Sequence, residues 1–130
     1  MNWVRFCKTH FMIHESEVIH LLGEKIPFIG LTLQQPENAK NVYKTIHCFA
    51  AITKGLLGTG NYQAVKKCVV LAEELFDKGN TTVKVAIENV FLYTLAPLID
   101  KGDEASMILK SMFSGSLLKE YERQISTSCL

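Results

Sequence analysis

The chain has almost no charge of one sign in excess: 14 Lys and Arg stand against 13 Asp and Glu, a net +1 with neutral histidines. That balance removes the global basic field with which nucleic-acid binders track phosphates, and equally the acidic shell that traps a cationic partner. Any charge argument must therefore be local. Glycine and proline are scarce as well, at 8 and 3 of 130 residues, while 48% of residues are hydrophobic, which excludes disordered and fibrous classes. No apolar run approaches the roughly 18 residues that a bilayer crossing requires, so no membrane partner is expected. Cys7, Cys48, Cys68 and Cys129 show no paired spacing, and no apolar segment with a small-residue cleavage site opens the chain. A reducing cytoplasm is the expected setting. There is no Gly-x-Ser-x-Gly elbow. Gly55, Gly58 and Gly60 do not make a phosphate loop, because they follow a helical pattern rather than a strand and no Lys-Ser or Lys-Thr pair comes after them.

What the chain does have is a segment that occurs twice, 19 residues apart. Tyr43 to Asn61 and Tyr62 to Asn80 align with Phe49/Cys68, Ala50/Val69, Ile52/Leu71, Leu56/Leu75 and Leu57/Phe76 in register. Each copy reads as one amphipathic helix closed by Gly and followed by an Asn that can cap the next. Pro36 suits the first turn of the earlier helix, and Gly58 or Gly60 ends it. From Thr81 onward Val83, Val85, Ala86, Ile87, Val90, Phe91, Leu92, Tyr93, Leu95 and Ala96 cover the whole circumference, the pattern of a helix surrounded by others. Pro97 kinks or ends that helix. Asp103 and Glu104 favour a further helix start, and a last helix is expected from Ser116, with 126–130 as a frayed tail. Residues 1–22 hold one or two helices ending before Gly23, and Ile26 to Leu33 reads as a packed loop. The expectation is a single all-α domain over 1–130, an antiparallel bundle or short helix-repeat array of about 5–6 helices around a central apolar helix at about 81–100.

Three groups of residues invite a chemical reading. Cys7, His10 and His14 are spaced i, i+3 and i+7, which on a continuous helix turns a thiolate and two imidazoles to one side as a weak metal candidate without a fourth ligand. Lys40, Lys44, His47 and Lys54 share a stripe opposite the apolar face of their helix and could meet an acidic protein surface or a phosphate backbone; a solvated face is the plainer account. Glu88 and Asn89 fall inside the apolar helix, where a lone carboxylate is costly, so a buried network with Lys84 is expected. On the third helix Glu73, Glu74 and Asp77 sit near the C-terminal end, unfavourably for its dipole, which hints at an outside use. No cofactor is implied.

The stretch Ala72-Glu73-Glu74-Leu75, Gly79-Asn80, Ala86-Ile87-Glu88-Asn89-Val90-Phe91 and Tyr93, together with Leu117-Leu118-Lys119-Glu120-Tyr121-Glu122-Arg123-Gln124, resembles a family of small bacterial helical domains of uncharacterised function. Domains of this build are often immunity proteins, which block a toxin from a neighbouring cell, so the resemblance implies binding to another protein, a toxin among the candidates, rather than catalysis. It carries no assigned functional residue. The expected function is thus a cytoplasmic protein-binding module that occludes a partner's surface through Lys40, Lys44, His47 and Lys54. A metal- or ligand-dependent enzyme using Cys7, His10, His14 or Glu88 is the alternative from another class. A helix-turn-helix nucleic-acid binder reading through Asn61, Tyr62, Gln63, Lys66 and Lys67 is the third.

Overall fold

A computed structural model of the chain describes residues 12–26 and 41–128. Among them the chain forms six helices and no strand. They are α1 (Glu15–Lys25), α2 (Val42–Gly58), α3 (Tyr62–Lys78), α4 (Thr81–Asp100), α5 (Glu104–Met112) and α6 (Gly115–Ser128). The expected all-α bundle is what the sequence builds.

Helix starts are set by short polar side chains. Asn41, Asn61, Asn80 and Asp103 each stand at an N-cap, where the side-chain oxygen accepts from backbone amides that have no partner inside the helix. Asn41 accepts from Tyr43 N at 2.9 Å, Asn80 from Val83 N at 3.0 Å and Asp103 from Ser106 N at 2.8 Å. The internal repeat therefore corresponds to α2 and α3, two helices of 17 residues, each preceded and followed by a capping asparagine. Asn41 is extended and opens α2 at Val42; Pro36, expected in a first helical turn, lies outside the described residues. Between α2 and α3 the chain turns at Gly60, whose φ of 79° favours glycine. Gly79 has an ordinary φ, but a Cβ there would collide with the Leu75 carbonyl and with Val83, so α3 and α4 close on it. Ile13 lies in the same place: its N–H donates to Lys78 O at 2.8 Å and its carbonyl accepts from Asn80 N at 2.9 Å, fastening the segment before α1 to the α3–α4 turn.

The core is one apolar cluster contributed by every described helix. α4 supplies Val83, Ala86, Ile87, Phe91, Leu92, Leu95 and Ile99, all buried, and packs against α2, α3 and α5. Its Phe91 ring stacks on Phe49 of α2 with centroids 5.0 Å apart. Length and a mean hydropathy of 1.3 over its most apolar stretch would also suit α4 to crossing a membrane. The sequence pattern suggested a fully surrounded helix; in the fold Asn89, Tyr93 and Pro97 stay exposed along one edge. Pro97 does not end α4, because it and Tyr93 lie on that exposed edge, where water can satisfy the carbonyl deprived of its donor. Between Ile87 and Phe91 the helix widens to a π turn, with Leu92 N bonded to Ile87 O. Gln124 of α6 donates to the Glu88 carbonyl at 3.1 Å inside that turn. Two other boundaries differ from expectation. α1 runs through Gly23 to Lys25, and α6 stays helical through Ser126 to Ser128.

Candidate functional site

α2 turns Val42, Thr45, Ile46, Phe49, Ala50, Thr53 and Leu57 inward. The two threonines are tolerated there because each hydroxyl bonds back to its own helix, Thr45 Oγ1 to Asn41 O at 3.1 Å and Thr53 Oγ1 to Phe49 O at 2.9 Å. With that face fixed, Lys44, His47, Ala51 and Lys54 must point out, and all four are exposed. Lys44 to Lys54 is ten residues of helix, a stripe about 15 Å long. Lys40 precedes the Asn41 cap and lies outside the described residues. α2 contains no Asp or Glu, and it is the one described helix that carries cations without any carboxylate.

At its C-terminal end the stripe runs into a groove of about 530 Å³. One wall is the α2–α3 turn, with Lys54, Leu57, Gly58, Gly60 and Tyr62. The opposite wall joins α4 to α5, with Leu98, Lys101, Asp103 and Ser106. Asp103 is committed to the fold as the N-cap of α5, and Ser106 Oγ donates back to Asp103 O at 2.7 Å. The Ser106 amide, with help from Lys101, holds the Asp103 carboxyl below its usual range. A second, smaller depression of about 340 Å³ lies between Lys25 of α1 and Lys66, Lys67, Val70 and Glu74 of α3.

The expected buried network around the middle of α4 is assembled differently. Lys84 and Glu88 are half-buried, but Asn89 is exposed, because the π turn carries it onto the outer edge. Lys84 and Arg123 both act on the Glu88 carboxyl through space, and α6 sets a bonded group beside it. Arg123 binds Glu120 through Nε at 3.0 Å and Nη2 at 2.6 Å, and Gln124 reaches Glu120 Oε2 at 3.0 Å. Burial and the nearby Glu120 push the Glu88 carboxyl up, against Arg123 and Lys84; the Arg123 bond holds Glu120 down. The i, i+3 and i, i+4 spacing of Glu120, Arg123 and Gln124 was the readable signal for half of this cluster. Its pairing with α4 was not readable.

The remaining candidates separate. His14 is extended and caps α1, so the continuous helix that would align it with Cys7 and His10 is not present at His14; Cys7 and His10 lie outside the described residues. Among the described residues no three His, Cys, Asp or Glu side chains converge as metal ligands would. Glu73, read as a hint of outside use, accepts from Ser114 N at 2.6 Å and Ser114 Oγ at 3.0 Å and so anchors the start of α6. Asn61, a candidate base reader, has its side-chain oxygen occupied by Ala64 N at 3.3 Å.

Residues 19–127 match a family described as Domain of unknown function (DUF7674), and the chain belongs to that family. No curated protein and no solved structure matches it.

Proposed function

We propose that this family member is a protein-binding module that docks an acidic surface of another protein on the outward face of α2. One observation carries the reading: Lys44, His47 and Lys54 are exposed on the only described helix with cations and no carboxylate. Everywhere else the described helices mix both signs, as solvated faces do. Such a stripe raises the rate of encounter with an acidic partner and fixes its orientation, while affinity comes from what is buried beside it. Tyr43, 41% exposed next to the stripe, offers an amphipathic ring for that purpose.

In its finer form the proposal makes the partner a toxin whose working surface is covered, the role of an immunity protein, with the module acting in the cytoplasm. The free thiols of Cys48 and Cys68 suit a reducing compartment, and burial pushes both up, away from reactivity.

The test is capture of binding proteins from the producing cells by the wild type and by a Lys44→Glu, Lys54→Glu variant, followed by kinetics on whatever the wild type holds. The reversal is expected to slow association about tenfold at low salt, with the difference closing near 1 M salt, where screening acts within roughly 3 Å. A captured protein that binds both forms equally would remove α2 from the account.

A further inference from the structure

The stripe ends at Lys54, and Lys54 is also a wall of the groove between the α2–α3 and α4–α5 turns. Resting on the docking proposal above, we infer that this groove receives an extended acidic segment of the partner, one that carries an aliphatic side chain between its carboxylates.

The charge in the groove favours anions. Lys54 and Lys101 stand on opposite walls, and both are exposed. The one carboxylate among the lining residues, Asp103, is engaged by the Ser106 amide and faces Lys101, which leaves Lys54 uncompensated. Leu57, Leu98 and Ala105, with the half-buried Tyr62, line the same groove and make part of it apolar. Gly58 and Gly60 shape the near wall. A Cβ on either would meet nothing within 4 Å, so the wall there is bare main chain with open space in front of it. A volume of about 530 Å³ is in the range of ligand sites, yet the groove is only partly enclosed. A small molecule would keep much of its surface wet in such a place, whereas a peptide can pass through it and continue along α2. Cations at two walls and apolar side chains in the same groove specify acidic and aliphatic side chains within one segment.

The probe is a blocked synthetic octapeptide of Asp and Glu with two central leucines, titrated into isotope-labelled protein and followed by amide chemical shifts. Two control peptides replace its acids by Lys or its leucines by Ser. Saturable shifts are expected at Thr59, Gly60, Tyr62, Lys101 and Ser106, with weaker binding of the Ser peptide and none of the Lys peptide. Lys101→Glu is expected to weaken the acidic peptide about tenfold, and Lys101→Ala by less, while Lys119→Glu on α6 leaves it unchanged. Far-UV circular dichroism establishes that each variant is folded. Absence of saturable shifts at these amides, equal response to the Lys peptide, or indifference to both Lys101 substitutions overturns the inference; so does a DNA duplex that shifts the same amides when the peptide does not. The two proposals fail separately. A captured protein weakened by Lys44→Glu, beside a peptide that does not bind, removes the groove alone, whereas peptide binding beside a captured protein indifferent to Lys44→Glu removes the stripe.

Discussion

Two glycines should respond to the same substitution with opposite signs. Gly55 lies in the fourth turn of α2 on the solvent side, and a Cβ built on it meets nothing within 4 Å. Gly55→Ala therefore adds no clash and removes backbone freedom from the unfolded chain, which stabilises a helix interior by about 0.8–1 kcal/mol. At Gly79 the backbone dihedrals suit any residue, with φ −69° and ψ 156°, but a Cβ would strike the Leu75 carbonyl and the buried Val83 side chain. Neither neighbour is a flexible tip. Gly79→Ala must push α3 and α4 apart or loosen the strap from Ile13, an overpacking cost of about 1–3 kcal/mol. For 130 residues the unfolding entropy is about 270 cal/mol/K, so 1 kcal/mol moves the melting temperature by about 4 °C. The expected result by differential scanning calorimetry is a rise of about 3–4 °C for Gly55→Ala and a fall of about 4–11 °C for Gly79→Ala. A neutral Gly79→Ala would refute the tight α3–α4 closure, and a destabilising Gly55→Ala would mean that α2 does not present that face to water.

Three further experiments probe the packing around α4. Phe49 and Phe91 are both fully buried and stack at 5.0 Å, so a double-mutant cycle to Leu should return a coupling of about 0.5–1.5 kcal/mol in urea unfolding; additive effects would deny the contact. Tyr121 Oη donates to Asp100 Oδ1 at 2.8 Å, its ring packs edge-on against Phe113, and burial with that carboxylate pushes the phenol far up. Tyr121→Phe keeps the ring and loses the bond, a cost of about 1 kcal/mol given that Asp100 is exposed, and a stability equal to wild type would show that water serves the carboxylate as well. Glu88 is raised in the fold, so its protonated form is favoured there: the stabilisation is complete below the unfolded carboxyl value near 4.5 and is lost as pH rises through the folded value. Glu88→Gln should accordingly be more stable than wild type at pH 7, with the gap narrowing towards pH 4, and a gap that widens on acidification would reverse the assignment.

The local parts of this fold were legible because they are written in local chemistry. Asn61 and Asn80 end each copy of the repeat and cap the following helix, and the apolar stripes of α2 and α3 bury the residues that the 3.6-residue period selects. What escaped was whatever depends on a distant neighbour. The π turn at Ile87–Phe91 leaves no trace in a segment that is apolar on all sides, and the residue that serves its carbonyl, Gln124, is 36 positions away. His14 reads as a helical residue until Ile13 pairs with the α3–α4 turn and pulls the chain straight. Glu73 reads as a surplus surface charge until Ser114 arrives from 41 residues on. Among the candidate residues, the exposure of Lys44, His47 and Lys54 was legible from spacing alone, whereas Lys101 and Ser106 joined Lys54 only through the packing of α5 on α4.

The same bookkeeping of polar groups bears on where function lies. Among the described residues no buried side-chain nitrogen or oxygen lacks a hydrogen-bond partner. Thr45, Thr53 and Ser106 answer to their own helices, Asn41, Asn61, Asn80 and Asp103 cap, and Glu73 anchors α6. These polar groups are committed to the fold, as buried polar groups generally are. The outward face of α2 carries the charges that the docking proposal uses. Lys44 and Lys54 stand exposed along α2 with no carboxylate on the helix to offset them. Under the docking proposal an acidic partner laid along α2 would meet these cations, so charge reversal at Lys44 and Lys54, rather than any substitution in the core, is the perturbation that tests it.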